Sequence, residues 1–124
     1  MKREQPINLE LASLKFPVTA IVSILHRISG IALFLLTPVM LYWLHLSLAS
    51  EISFAELGAQ LETSLWKFVL WIFSAALLYH VLAGMRHVLM DIGWGEALSS
   101  ARMSAMTLIV LSVIGAICLG VLIW

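Results

Sequence analysis

From Ile28 to Ser50 the chain carries no Asp, Glu, Lys or Arg, and the same silence returns from Phe68 to Met85 and from Met103 to Trp124. The three runs are 23, 18 and 22 residues long, each near the ~20 residues that cross a bilayer core as an α-helix. None alternates apolar and polar positions with period two, so a membrane β-barrel is excluded and helices remain, since backbone groups in lipid must be satisfied within the segment. The pattern predicts an all-α integral membrane protein with three transmembrane helices at about 20–48, 65–91 and 102–124. Residues 17–124 form the membrane domain and residues 1–16 an N-terminal arm.

Composition agrees: 62% of the residues are hydrophobic and 11% charged, against roughly 25% charged in a soluble domain. The opening stretch "MKREQPINLELASLKF" is mixed in charge and is followed by no small-residue cleavage site, unlike a secretory signal. It also holds too many acidic residues for an organelle transit peptide. It is read as a retained arm, and the chain as a multi-pass protein of a bacterial inner membrane. Cys118 is the single cysteine, which leaves no disulfide and no thiolate cluster to consider.

Basic residues orient the helices. Lys2, Arg3, Lys15 and Arg27 precede the first span, and Arg86 and Arg102 flank the connection between the second and third. The connection between the first two, read as an outer loop with Glu51, Glu56 and Glu62, has only Lys67. The positive-inside rule then puts the N-terminus in the cytoplasm and the C-terminus in the periplasm.

Arg27, Arg86 and Arg102 mark one membrane boundary and serve as depth rulers. His80, six residues before Arg86, sits about 9 Å deeper at 1.5 Å per residue. His26 and His87 lie at the boundary, and His45 is near the opposite surface. A histidine at the depth of His80 is either a neutral imidazole bonded to a neighbouring helix or a ligand to a metal or haem. Ala76, His80, Gly84 and His87 share one helical face. Gly84 would leave room for a flat macrocycle, although glycine also marks close helix packing. Haem propionates directed to this boundary would meet Arg86, His87, His26 and Arg27; the alternative is that Arg86 and Arg102 are snorkelling anchors, which is favoured for Arg102 and leaves Arg86 and Arg27 open. Three helices are too thin a layer to enclose a tetrapyrrole, and no other histidine reaches the depth of His80. A second axial ligand would therefore come from a partner subunit, in a heteromeric helix bundle.

In the first span, Ser23, His26, Arg27 and Gly30 fall at i, i+3, i+4 and i+7, a row of hydrogen-bond donors at an apolar boundary. Such a row suits the carbonyl oxygens of a quinone, or belongs to an anchor arginine and a back-bonded serine. Asp91 pairs with one of the arginines or takes part in proton delivery. In the third span, Ser112, Ala116 and Gly120 form a small-residue packing stripe, while Trp66, Lys67 and Trp71 resemble an interfacial belt.

Two motifs carry a resemblance. "SILHRIS" at Ser23 to Ser29 and "HVLAGMRHVLMDIG" at His80 to Gly93, in this order on the first two spans of a three-span chain, are similar to the cytochrome b membrane-anchor subunits of succinate dehydrogenase. The likeness extends over nearly the whole chain, with Gln5-Pro6 where the family tends to have Arg-Pro. It implies that His80 ligates a b-type haem shared with a second, smaller membrane anchor. Ser23 and Arg27 would belong to the ubiquinone site, with Asp91 near it and His26 near the haem propionates. Implied partners are an iron–sulfur subunit and a flavoprotein, which hold the clusters and FAD, together with ubiquinone as substrate, the lipid bilayer and no nucleic acid. The complex would oxidise succinate and reduce ubiquinone, the isolated chain being inactive. Rival readings are a non-redox membrane assembly or transport subunit, in which His80 and Arg86 line a polar path, and a fumarate reductase anchor.

Overall fold

A computed structural model of the chain describes residues 17–124, and the arm at 1–16 lies outside the described residues. Four helices follow one another: α1 (Val18–Ala49), α2 (Glu51–Leu61), α3 (Ser64–Asp91) and α4 (Leu98–Ile123). Three of them, α1, α3 and α4, are long and apolar enough to span a membrane. The 32 residues of α1 rise about 48 Å, well beyond the ~30 Å hydrocarbon core, so its ends reach into both interfaces. Inside α1, Pro38 withdraws the N–H that the Phe34 carbonyl would otherwise accept.

The connection after α1 is helical where a loop was expected. Ser50 caps α2 reciprocally: its hydroxyl accepts from the Ser53 amide at 3.1 Å, and its own amide donates to the Ser53 hydroxyl at 3.1 Å. A box that ends in serine, not Glu or Gln, is a weak signal. The eleven residues of α2 hold two of the chain's acidic side chains, Glu51 and Glu56, with Glu62 following as the C-cap, and are too short to span.

Each long helix is apolar around most of its circumference, and many large side chains point outward, among them Phe34, Leu48, Val121 and Leu122. In lipid such faces are solvated, and helices associate where small residues let backbones approach. Val22, Ala83, Ala105 and Leu108 form the shared core, with Ala83 and Ala105 almost fully buried where α1, α3 and α4 meet. α3 is central and packs along both other spans. Toward the opposite end, the Trp71 indole donates to the Ala116 carbonyl at 2.8 Å. A Cβ on Gly120 would stand 3.4 Å from that indole nitrogen. Trp71 therefore anchors α3 to α4, and part of the Ser112, Ala116, Gly120 stripe is its receptor.

α3 ends in a Schellman motif. The Gly93 amide donates to the Met90 carbonyl at 3.0 Å and the Trp94 amide to the Leu89 carbonyl at 2.9 Å, which requires a left-handed residue between them. Gly93 supplies it with φ +90°. Gly95, at φ +75°, completes the reversal into α4, which starts at Leu98, one turn before Arg102. Replacing Gly93 with alanine should destabilise this connection by about 1 kcal/mol, since an L side chain is strained at that φ. Thermal unfolding of the purified complex should move to lower temperature, whereas Ser99→Ala, at an exposed position of α4, should leave it within error.

Candidate functional site

The α1–α3 interface brings together the histidines that depth alone had ranked. Val22, His26 and Ser29 recur at i, i+4 and i+7 and turn one face of α1 toward α3. His80 and His87, seven residues apart, turn nearly the same face of α3 back. The His26 and His80 rings stack with centroids 4.2 Å apart, and His87 stands 5.6 Å from His26. The Tyr79 hydroxyl donates to the Val22 carbonyl at 2.8 Å, which fixes the two helices in register beside the rings.

The hydrogen bonds around His80 assign its tautomer. Ser29 Oγ donates to the His26 carbonyl at 2.7 Å and lies 2.9 Å from His80 Nδ1. Nδ1 is also 3.2 Å from the same carbonyl oxygen, which can only accept. With the Ser29 proton on the His26 carbonyl, both contacts are made by the tautomer that carries its proton on Nδ1 and its lone pair on Nε2. A histidine whose Nδ1–H is held by a backbone carbonyl and a hydroxyl is oriented as metal-ligating histidines are, by the partner of the nitrogen that does not ligate.

A glycine lies beneath each of the two stacked rings, and the close approach of His80 depends on one of them. A Cβ on Gly30 would lie 3.1 Å from His80 Cε1, so the His80 ring occupies the space a side chain would take. A Cβ on Gly84 would meet His26 Nε2 at 3.7 Å, an ordinary contact. Gly84 thus faces the His26 ring, where open room for a macrocycle had been expected. His26 Nε2 is itself buried against Gly84 and has no hydrogen-bond partner among the described residues.

Other expected site residues are placed differently. Ser23 is half-buried and Arg27 exposed, flanking the imidazoles on the side of α1 turned away from Val22. Asp91 is exposed at the last position of α3. Arg86 does not join the cluster. Six residues from His80, it is rotated about 120° around the helix, and its guanidinium donates from Nε to Ser104 Oγ at 3.0 Å and from Nη2 to the Ala101 carbonyl at 3.1 Å, both on α4. Its distance in sequence from His80 contained the rotation away from that residue but not the helix it meets. Ser29, absent from the expected site, shares the His26 face three residues on, and only the packing of α3 brings His80 to it.

With that geometry in view, the chain can be compared with known proteins. The family described as "Succinate dehydrogenase/Fumarate reductase transmembrane subunit" matches residues 1–119. The chain belongs to this family. Relatives share its full extent: it is 45% identical over 125 residues to the "Succinate dehydrogenase cytochrome b556 subunit" of Coxiella burnetii, covering 100% of both chains. It is 34% identical over 113 residues to the subunit of the same name in Paracoccus denitrificans, covering 91% of this chain and 87% of that one. For the corresponding subunit of Rickettsia typhi the identity is 30% over 121 residues, covering 98% and 91%. The family assignment gives the three spans their role as a membrane anchor.

Because the His80 ring fills the place of a Gly30 side chain, Gly30→Leu should force α1 and α3 apart. Overpacking of this kind destabilises by about 1–3 kcal/mol, so the variant complex should lose heat resistance. A variant that unfolds at the parental temperature would show that His80 moves aside without resistance.

Proposed function

We propose that this chain is the larger membrane anchor of a succinate:ubiquinone oxidoreductase in a bacterial inner membrane, holding one axial position of a b-type haem and part of the ubiquinone site. The observation that carries the reading is the pair of contacts at His80 Nδ1, to Ser29 Oγ and the His26 carbonyl, which suits the tautomer with its lone pair on Nε2. The names of the relatives, cytochrome b556 subunits, are what such a ligand would predict. The family description covers both directions of the reaction; the relatives named here are succinate dehydrogenases, and that direction is adopted.

The donor set fits a haem. A neutral imidazole is the ligand that a low-dielectric span tolerates, since a charged one would be expensive there. His87, exposed beside His26, supplies a donor for propionate oxygens, His26 lies next to it with Nε2 turned to Gly84, and Arg27 adds a positive charge at the same end. When bound, the haem supplies a one-electron carrier. The second axial ligand comes from the smaller anchor, and FAD and the iron–sulfur clusters from the flavoprotein and iron–sulfur subunits.

For the quinone, Ser23 and Arg27 lie one turn apart on α1 and donate hydrogen bonds to a carbonyl oxygen. A guanidinium there favours charge developing on that oxygen as electrons arrive. Asp91, exposed at the same end of the bundle, offers a carboxylate for proton exchange with water. Basic residues set the orientation: the N-terminal end of α1, the C-terminal end of α3 and the N-terminal end of α4 face the cytoplasm, and the C-terminal end of α4 faces the periplasm.

Substituting His80 with leucine should abolish or shift the b-type absorption of the complex reduced with succinate. An unaltered spectrum would remove His80 as the ligand. Arg27→Ala should lower quinone reductase activity by about tenfold or more, the loss of one charge-assisted hydrogen bond, while succinate oxidation with an artificial dye acceptor stays near the parental rate. Equal losses in both assays would point to failed assembly.

A further inference from the structure

On the face of α3 away from the imidazoles, α3 and α4 enclose a groove of about 580 Å³. Leu82, Met85 and Leu89 line it from α3, and Met103, Leu108 and Leu111 from α4. Polar groups gather at one end. There Arg86 lines it beside Ser104, Ser100 and Gly95, and Thr107 lines it further along α4, next to the apolar walls. Neither Asp91 nor Glu96 is part of the lining, although both flank the connection.

We propose that this groove holds one anionic phospholipid, its phosphate on Arg86 and the N-terminal turn of α4, and an acyl chain along the apolar walls. The charge on Arg86 requires a counter-ion. An arginine that only snorkelled would extend its guanidinium to headgroups and water; this one reaches back across a helix interface. Both of its hydrogen bonds to described residues go to neutral oxygens, Ser104 Oγ and the Ala101 carbonyl. Three of its five N–H groups are left over, and an uncompensated charge at the edge of the hydrocarbon is costly.

The second attraction comes from α4. Its first turn has unpaired amides, and the N-cap, Ala97, provides no side-chain acceptor. Gly95 and Ser100, on either side of that cap, line the mouth of the groove. An anion at this position would meet the positive end of the helix and the guanidinium together.

Polarity along the groove selects the occupant. From Ser100 to Leu111 it extends about 16 Å along α4, polar where α3 ends and α4 begins, apolar toward the membrane centre. That is the orientation of a lipid in the leaflet at this end. A quinone has an apolar tail as well, but its neutral carbonyls would leave the Arg86 charge without a counter-ion.

The test uses the intact complex, purified in detergent through a tag on this chain and washed free of loosely held lipid. It is then mixed with phosphatidylglycerol or phosphatidylcholine and examined by native mass spectrometry. One phosphatidylglycerol per copy of this chain should be retained, about tenfold more tightly than phosphatidylcholine. Arg86→Gln should lose that preference, and Thr107→Trp, which fills the groove and keeps the charge, should lose the bound lipid. Should Arg86→Gln fail to assemble, Thr107→Trp decides. Equal retention of the two lipids, or phosphatidylglycerol unchanged in the groove-filling variant, would overturn the proposal. Recovery of a quinone in place of lipid, or cross-linking of another subunit from Met103, would overturn it as well.

Discussion

Apolar side chains gain little in hydrocarbon by facing another helix instead of lipid, so the three spans are held together only where shape and polarity make contact better than lipid does. The structure meets this constraint at a few points along α3. Ala83 and Ala105 let the helices close up, and Tyr79, Trp71 and Arg86 each donate across an interface to a backbone carbonyl. A carbonyl already engaged within its own helix retains a second lone pair. It can accept such a bond without loosening the helix that carries it. Placement of every site residue follows from these few contacts.

The imidazole cluster is a product of that packing. His80 has no local reason to adopt one tautomer. It acquires one because α1 presents Ser29 and the His26 carbonyl at its Nδ1, and because Gly30 lets the ring approach that close. One interaction therefore joins fold and chemistry: the bond that ties α3 to α1 also directs a lone pair outward. His26, with Nε2 buried against Gly84 and unpaired among the described residues, packs the same interface from the α1 side.

α3 is two-faced. Its His80 and His87 side meets α1, and its Arg86 side meets α4, so the two polar sites of the chain are separated by the helix itself. A single helix can serve both because residues six apart in sequence are close in depth and far apart in azimuth. That distinction divides a neutral-imidazole environment from a cationic one within about 9 Å along the axis.

Much of this was legible in the chain before folding was considered. Three charge-free runs required three spans, because backbone groups in lipid permit nothing else, and the motifs from Ser23 to Ser29 and His80 to Gly93 identified the family. The periodicity also contained the common face of His80, Gly84 and His87, and the glycine stop after Asp91. Four features depended on the tertiary structure: Ser29 at Nδ1 of His80, Gly30 and Gly84 beneath imidazole rings, Arg86 turned to α4, and Trp71 bonded to a carbonyl of α4. The physical reason is common to all four. Hydropathy reports how deep a residue lies, but a span that is apolar on every side carries almost no signal of which way it faces, and only the neighbouring helices supply that direction.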